Sequence, residues 1–265
     1  RRPWARGGRL RSENMPLTRT ATPLCSFVGR RAYHAPTRAL NHCVDVVRQG
    51  DRERYLCNMF SSREARPALF ALHAFNIETA NIRSTTTTEE IGRMRMAWWR
   101  QAIEQCQRQN PPEHPIAQAL AQAQARHSLS HRFLEQILDA READLGATQP
   151  ADLGQLVGYC ERTAGALQLL GLECVGAADD AHAEQAATHA GCALGLATLL
   201  RGAAFHAARG CAYIPVDVAQ RHHVNLSQVR TAGPVSACLC MTTLCYLASG
   251  PGGEVAHRRG GRARA

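Results

Sequence analysis

The sequence predicts an all-α fold, a helical bundle around a central cavity. Helical apolar periods recur from Ala39 to Val218, separated by short breaks. No segment keeps the strict alternation of a half-buried strand. The stretch over residues 66–88 opens as RPALFALHAF, apolar nearly all round, and such a helix belongs inside a bundle. At 265 residues and 45% hydrophobic, the chain can bury one sizeable core.

Residues 39–60 read as a helix, a break at Gly50-Asp51 and a second helix. The pattern Ser61-Ser62-Arg63-Glu64 is a capping box and predicts the entrance to the next helix, with Pro67 tolerated in its first turn. After Phe75 that helix turns polar: Asn76, Glu78, Thr79, Asn81 and Arg83 continue a segment whose first turns are buried. They are expected to face the protein interior or its cavity. Thr87-Thr88-Glu89-Glu90 reads as a second capping box. The helix behind it carries Ile91, Met94, Trp98 and Ala102 at spacings of three and four, which predicts its buried stripe. Of Trp98 and Trp99, one is expected in the core and one half-exposed.

Pro111-Pro112 ends that helix, and residues 115–145 give two more, split at Ser128. Asp139, Glu142 and Asp144 read as a solvated acidic face paired with Arg141. Residues 151–175 form a further helix with small residues on one face, suited to close packing. Asp179-Asp180 looks like a metal box, but its place after Gly176 makes an N-cap the better reading. Residues 191–215 complete the helical series.

Several of these segments together resemble the squalene/phytoene synthase family. ALFALHAFN over residues 68–76 matches the run ahead of that family's first Asp-rich box. Leu156 to Gly165, LVGYCERTAG, resembles its Tyr-Cys-containing helix. Arg201, Gly210, Tyr213 and Pro215 keep the framework of its second signature helix. The resemblance covers about residues 39–230 and implies an isoprenoid-synthase-like bundle that is C-terminally truncated, the domain spanning 37–230. It also marks what is missing. The first metal box falls on Ala80, Asn81 and Ser84, the second on Gly202 and His206, and neither holds a carboxylate. By the same resemblance Asn76, Glu78, Tyr159, Gly165, Arg201 and Tyr213 are expected to line the cavity.

Enzymes of this kind ionise an allylic diphosphate whose departing charge is neutralised by Mg²⁺, and Mg²⁺ needs oxygen ligands. Losing both boxes while keeping the helices argues for another task. No catalytic residue, metal or cofactor is therefore expected. The Ala74–Ala80, Ile91–Met96 and Asn110–Pro115 segments resemble the mitochondrial branch of the family that acts in building respiratory complex I. That resemblance implies a non-catalytic assembly factor. Its expected partners are complex I membrane-arm subunits or other assembly factors, with peripheral contact with the inner membrane from the matrix side. Two alternatives stay open: a prenyltransferase of the squalene/phytoene synthase type, or an isoprenoid- or lipid-binding module.

The net charge of +9 is uneven. Residues 1–36 hold eight arginines against one acid, whereas the central residues 37–230 are nearly neutral, so the basic pI says little about nucleic acid, and no nucleic-acid partner is expected. The Arg- and Ser-containing, acid-poor leader 1–36 reads as a mitochondrial presequence. Met15 is a candidate start that would put residues 1–14 upstream of it. The Gly- and Arg-rich residues 231–265 read as an atypical, disordered tail. Eleven cysteines lie scattered with no C-x-x-C pair, and are expected to be reduced and mostly in the core. No run reaches the roughly 20 apolar residues of a spanning helix.

Overall fold

The computed structural model describes residues 37–147 and 149–224, so the leader and the tail discussed above lie outside the described residues. Every element among the described residues is helical, and none is a strand. In chain order they are α1 (Thr37–Gly50), α2 (Arg52–Phe60), α3 (Arg66–Thr85), α4 (Glu89–Gln107), α5 (Pro115–His127) and α6 (His131–Asp144). There follow α7 (Leu153–Cys160), a π-helical turn (Glu161–Gly165), α8 (Ala166–Val175), α9 (Ala181–Arg201), α10 (Ala203–Ala207) and α11 (Val216–Arg221).

Helix α3 is the hub. It packs against α1, α2, α4, α5, α6 and α8, as its unbroken apolar first half requires. Leu72 and Phe75 are fully buried there among Met96, Ile103, Ile116, Leu120, Leu134, Ile137 and Leu170. The Phe75 ring meets Trp99 edge-on at 5.2 Å.

The expected breaks occur for identifiable reasons. Asp51 caps α2 by accepting from the Arg54 backbone N–H at 2.9 Å. Ser128 closes α5 in the left-handed region at φ 50°. Asp180 caps α9, accepting from the His182 and Ala183 amides.

Neither expected capping box forms as read: α3 starts behind Ala65 with no side-chain cap, and the cap of α4 falls one residue later. Ser62, not Ser61, accepts from the Ala65 amide, and Ser61 instead ends α2 by donating to the Cys57 carbonyl. Thr88, not Thr87, caps α4 through the Ile91 amide. The stripe expected on α4 is displaced too. Ile91, Met94 and Trp98 are exposed, while Gly92, Met96, Trp99, Ile103 and Cys106 are buried with Ala102. The buried side faces α3, α5 and α6: Trp99 meets Phe75, Cys106 donates to the Ala117 carbonyl, and a Cβ on Gly92 would stand 3.0 Å from Leu145 just after α6. Trp99 is thus the core ring and Trp98 the half-exposed one.

The close approach expected of the small residues is realised between the π-helical turn and α9. A Cβ on Gly191 would lie 2.5 Å from the Gly165 Cα, so only glycine fits. Along the rest of α9, Gly191 is the one buried residue among its 21. Of the cysteines, Cys43, Cys106, Cys160 and Cys174 are buried, Cys192 is half-buried and Cys57 is exposed.

Candidate functional site

A cavity of about 320 Å³ lies where the polar second half of α3 meets the start of α2, the ends of α6 and α7, the π-helical turn, α9 and the segment 205–213. That volume is at the lower end of small-molecule sites. Helix α3 turns polar after Phe75, and this half supplies Asn76, Thr79, Ala80, Asn81, Arg83 and Ser84 to the wall. Helix α6 supplies Arg141 and Asp144, and the opposite side carries His206, Arg209, Cys211 and Tyr213.

Arg141 is only 8% exposed. Its Nη1 donates to the Asn76 carbonyl at 2.8 Å and to the Thr79 hydroxyl, and its Nη2 donates to Asn76 Oδ1 at 2.6 Å. It makes no ion pair among the described residues, and its Nε–H is buried without an acceptor. Burial pulls the guanidinium pKa down, opposed by Tyr159 and Asp144 and reinforced by neighbouring Arg54. Arg54 itself is lowered by burial and offset by Asp51, whose carboxylate lies 3.7 Å away.

The second basic group is fully committed. Arg83 Nη1 lies 2.6 Å from Asp144 Oδ2 and donates to the Tyr213 hydroxyl at 2.7 Å. Tyr213 donates to Asp144 at 2.5 Å, and Arg83 Nη2 reaches the Ala147 carbonyl and Cys211 Sγ. Burial lowers the Arg83 pKa, but the Asp144 carboxylate outweighs it and holds the pKa above the usual arginine value. Around this knot Tyr159 stacks on Tyr213 at 6.0 Å, and the His206 ring meets Tyr213 at 4.8 Å. Burial, together with Arg83 and Arg209, lowers the His206 pKa, so this imidazole is neutral at pH 7. Burial raises Tyr159 to about 12, which keeps its hydroxyl protonated.

The chain therefore places Ala80, Asn81 and Ser84 across one cavity from His206, with Asn76, Tyr159 and Tyr213 in the same wall. Four expected residues are elsewhere. Glu78 is exposed on the side of α3 that faces His114. Gly165 is taken up by its contact with Gly191, and Gly202 ends α9 against the His206 ring. Arg201 is on the surface, paired with Glu53 at 2.8 Å.

The acidic face expected on α6 is also divided differently. Asp139 and Glu142 both hold Arg100 of α4 at 2.5 Å, while Arg141 and Asp144 turn inward. The signal for Arg141 was present: Leu134, Ile137 or Leu138, and Arg141 share one apolar stripe at spacings of three and four. A charge on a buried stripe points to a cavity or a partner.

Residues 47–250 match the squalene/phytoene synthase family. The chain belongs to that family. Among curated relatives it is 37% identical over 185 residues to human "NADH dehydrogenase (ubiquinone) complex I, assembly factor 6", covering 70% of this chain. Homologs of that assembly factor from Drosophila melanogaster and Dictyostelium discoideum are 34% and 30% identical, over 71% and 73% of this chain. The chain spans 55% of the length of the human relative. A dehydrosqualene synthase crystal structure superposes with a TM-score of 0.66 at 16% identity, covering 80% of this chain and 74% of that one. A squalene synthase from Alicyclobacillus acidocaldarius gives 0.64 at 16%, covering 80% and 84%. These two share the fold.

The family's Mg²⁺ does not fit the residues present here. The cavity's carboxylates, Asp51 and Asp144, are both engaged by arginines. Among the described residues no group of three His, Cys, Asp or Glu could hold a metal ion. The wall carries four arginines against two carboxylates, the reverse of a site that attracts a divalent cation.

Proposed function

We propose that this chain is a non-catalytic assembly factor for mitochondrial respiratory complex I, built on a prenyl synthase scaffold that has lost its metal boxes. One observation carries the reading. Ala80, Asn81 and Ser84 of the first box and His206 of the second reach the same cavity, and no carboxylate from either box stands there among the arginines. The curated relatives, from mammals to an amoeba, carry assembly-factor names, which supports the same reading. Residues 37–230 form the synthase-like domain, residues 1–36 a presequence and residues 231–265 a tail. The mature domain works in the matrix, adhering peripherally to the inner membrane and meeting membrane-arm subunits or fellow assembly factors. No helix among the described residues is long and apolar enough to cross a membrane.

The test is genetic and biochemical. Cells lacking the protein should lose mature complex I on native gels and regain it when this chain is expressed. Unchanged complex I in the knockout would sink the proposal. The purified chain, given Mg²⁺ and prenyl diphosphates, should release no diphosphate above the protein-free control; release would favour the prenyltransferase reading. Import into isolated mitochondria should shorten the chain, and carbonate should then extract it.

A further inference from the structure

Helix α2 is built inside out. Its polar Asn58 is buried and bonded to His73 at 2.9 Å, and Tyr55 packs on Phe70 of the core. Its large apolar residues point the other way: Phe60 is 90% exposed, Leu56 49% and Met59 44%. Leu56 and Phe60 stand one turn apart, opposite Asn58, so one side of the helix presents both. None of the three lines the cavity, although Asp51 and Arg54 beside them do. A surface helix turns its apolar stripe to the core, so this inversion marks a contact outside the bundle. The charges decide its kind. Arg52 opens α2 and Arg63 follows its end; both are exposed, and neither makes an ion pair among the described residues. The nearby acids are engaged: Asp51 caps α2, Glu53 is held by Arg201 at 2.8 Å, and Glu64 lines a crevice with Arg126 and His127. The exposed stripe of α4 differs, because Glu89 and Glu104 hold Arg93 and Arg108, and Glu90 stands exposed beside Ile91.

We propose that α2 is the membrane-docking element of this chain, seating Phe60, Leu56 and Met59 in the surface of an anionic lipid leaflet. An apolar stripe bracketed by arginines without acid partners suits that surface. The apolar side chains enter at the boundary between head groups and acyl chains, and Arg52 and Arg63 reach back to the lipid phosphates. Phe60, at the end of the helix, stands out furthest and carries most of the insertion. The lipid stays outside the bundle, and the central cavity takes no part. The proposal rests on the reading of peripheral contact with the inner membrane and names the face that makes it.

The experiment floats the full chain on vesicles of phosphatidylcholine with roughly one quarter phosphatidylglycerol, and on phosphatidylcholine alone. The Arg-rich leader also attracts anionic vesicles, so Phe60→Trp serves as the local reporter, read as its difference from the unaltered chain. The added fluorescence should be open to acrylamide in solution and quenched by brominated phosphatidylcholine once anionic vesicles are present. Phe60→Ser should weaken vesicle binding about tenfold at an unchanged melting temperature, because the ring it removes is 90% exposed. The double variant Arg52→Gln/Arg63→Gln should weaken binding to the anionic vesicles severalfold. Met94→Gln, on the exposed stripe of α4, should bind as the unaltered chain does. If Phe60→Ser binds undiminished, or bromine does not quench the reporter, the proposal is overturned while peripheral contact stands on another face. Indifference to the arginine pair overturns it as well. Shielding from acrylamide in solution means that the chain itself or a second copy covers the stripe, which also overturns it. No binding to either vesicle overturns the proposal and the peripheral contact together, and complex I rescue is read separately in cells.

Discussion

Asp144→Asn tests how α3, α6 and the segment after α10 are fastened together. Asparagine keeps the shape and can still accept a hydrogen bond, so the change removes chiefly the charge that faces Arg83. Removing one partner of a fully buried pair costs about 3–5 kcal/mol. Here the two side chains retain 20% and 13% of their exposure, so solvent screens part of that. The expected loss is therefore about 2–3 kcal/mol, well above the ~0–1 kcal/mol of a surface pair. Urea unfolding should show a lower midpoint with an unchanged slope. The double variant Arg83→Met/Asp144→Asn should recover most of the loss, because no uncompensated charge is left behind. A single-variant cost under about 0.5 kcal/mol, or purely additive costs in the double variant, would refute this account of the pair.

Gly191→Ala should destabilise the chain by about 1–3 kcal/mol, since its new methyl has no room beside Gly165, and denaturant melts will show it. His73, bonded to Asn58 at 2.9 Å, is pushed down to about 3 by burial and by Arg54, so it folds neutral. The unfolded chain then binds one more proton between pH 6.5 and 3. Stability is therefore full above pH 6.5 and falls as the pH drops through that window; His73→Gln should flatten the pH profile of the urea midpoint there. Burial raises Cys43, Cys106, Cys160 and Cys174 to about 12, so alkylation at pH 8 with peptide mapping should label exposed Cys57 long before those four.

The helices were legible in the sequence because their breaks rest on local chemistry. Asp51, Ser128 and Asp180 act within a few residues of themselves, so neighbouring residues suffice to read them. The face that each helix buries was harder. On α4 two apolar stripes compete, Ile91-Met94-Trp98 and Met96-Trp99-Ile103-Cys106, and the helices packed around α4 bury the second. Arg141 and Asp144 were misplaced because isolated charges default to solvent. Their true setting depends on Asn76, Thr79 and Arg83, more than fifty residues away in the chain. The metal boxes were the reverse case. A missing carboxylate is visible without coordinates, but what replaces it electrically is not, since Arg54, Arg83, Arg141 and Arg209 come from four separate segments.

The division of α3 into an apolar first half and a polar second half has a consequence for inherited variation. Missense changes over residues 68–75 strike the hub of the core and should lower the amount of protein in the cell, whatever its task. Changes at Asn76, Asn81 or Ser84 strike the cavity wall and can leave the amount untouched while altering what the cavity holds, whereas Ile82 in the core and Arg83 in its pair with Asp144 belong with the first half. One helix therefore carries both variants of quantity and variants of quality, the latter only after Phe75. The same arrangement lets a lineage rewrite the second half without unfolding the first, which is how a scaffold can shed its carboxylates and persist.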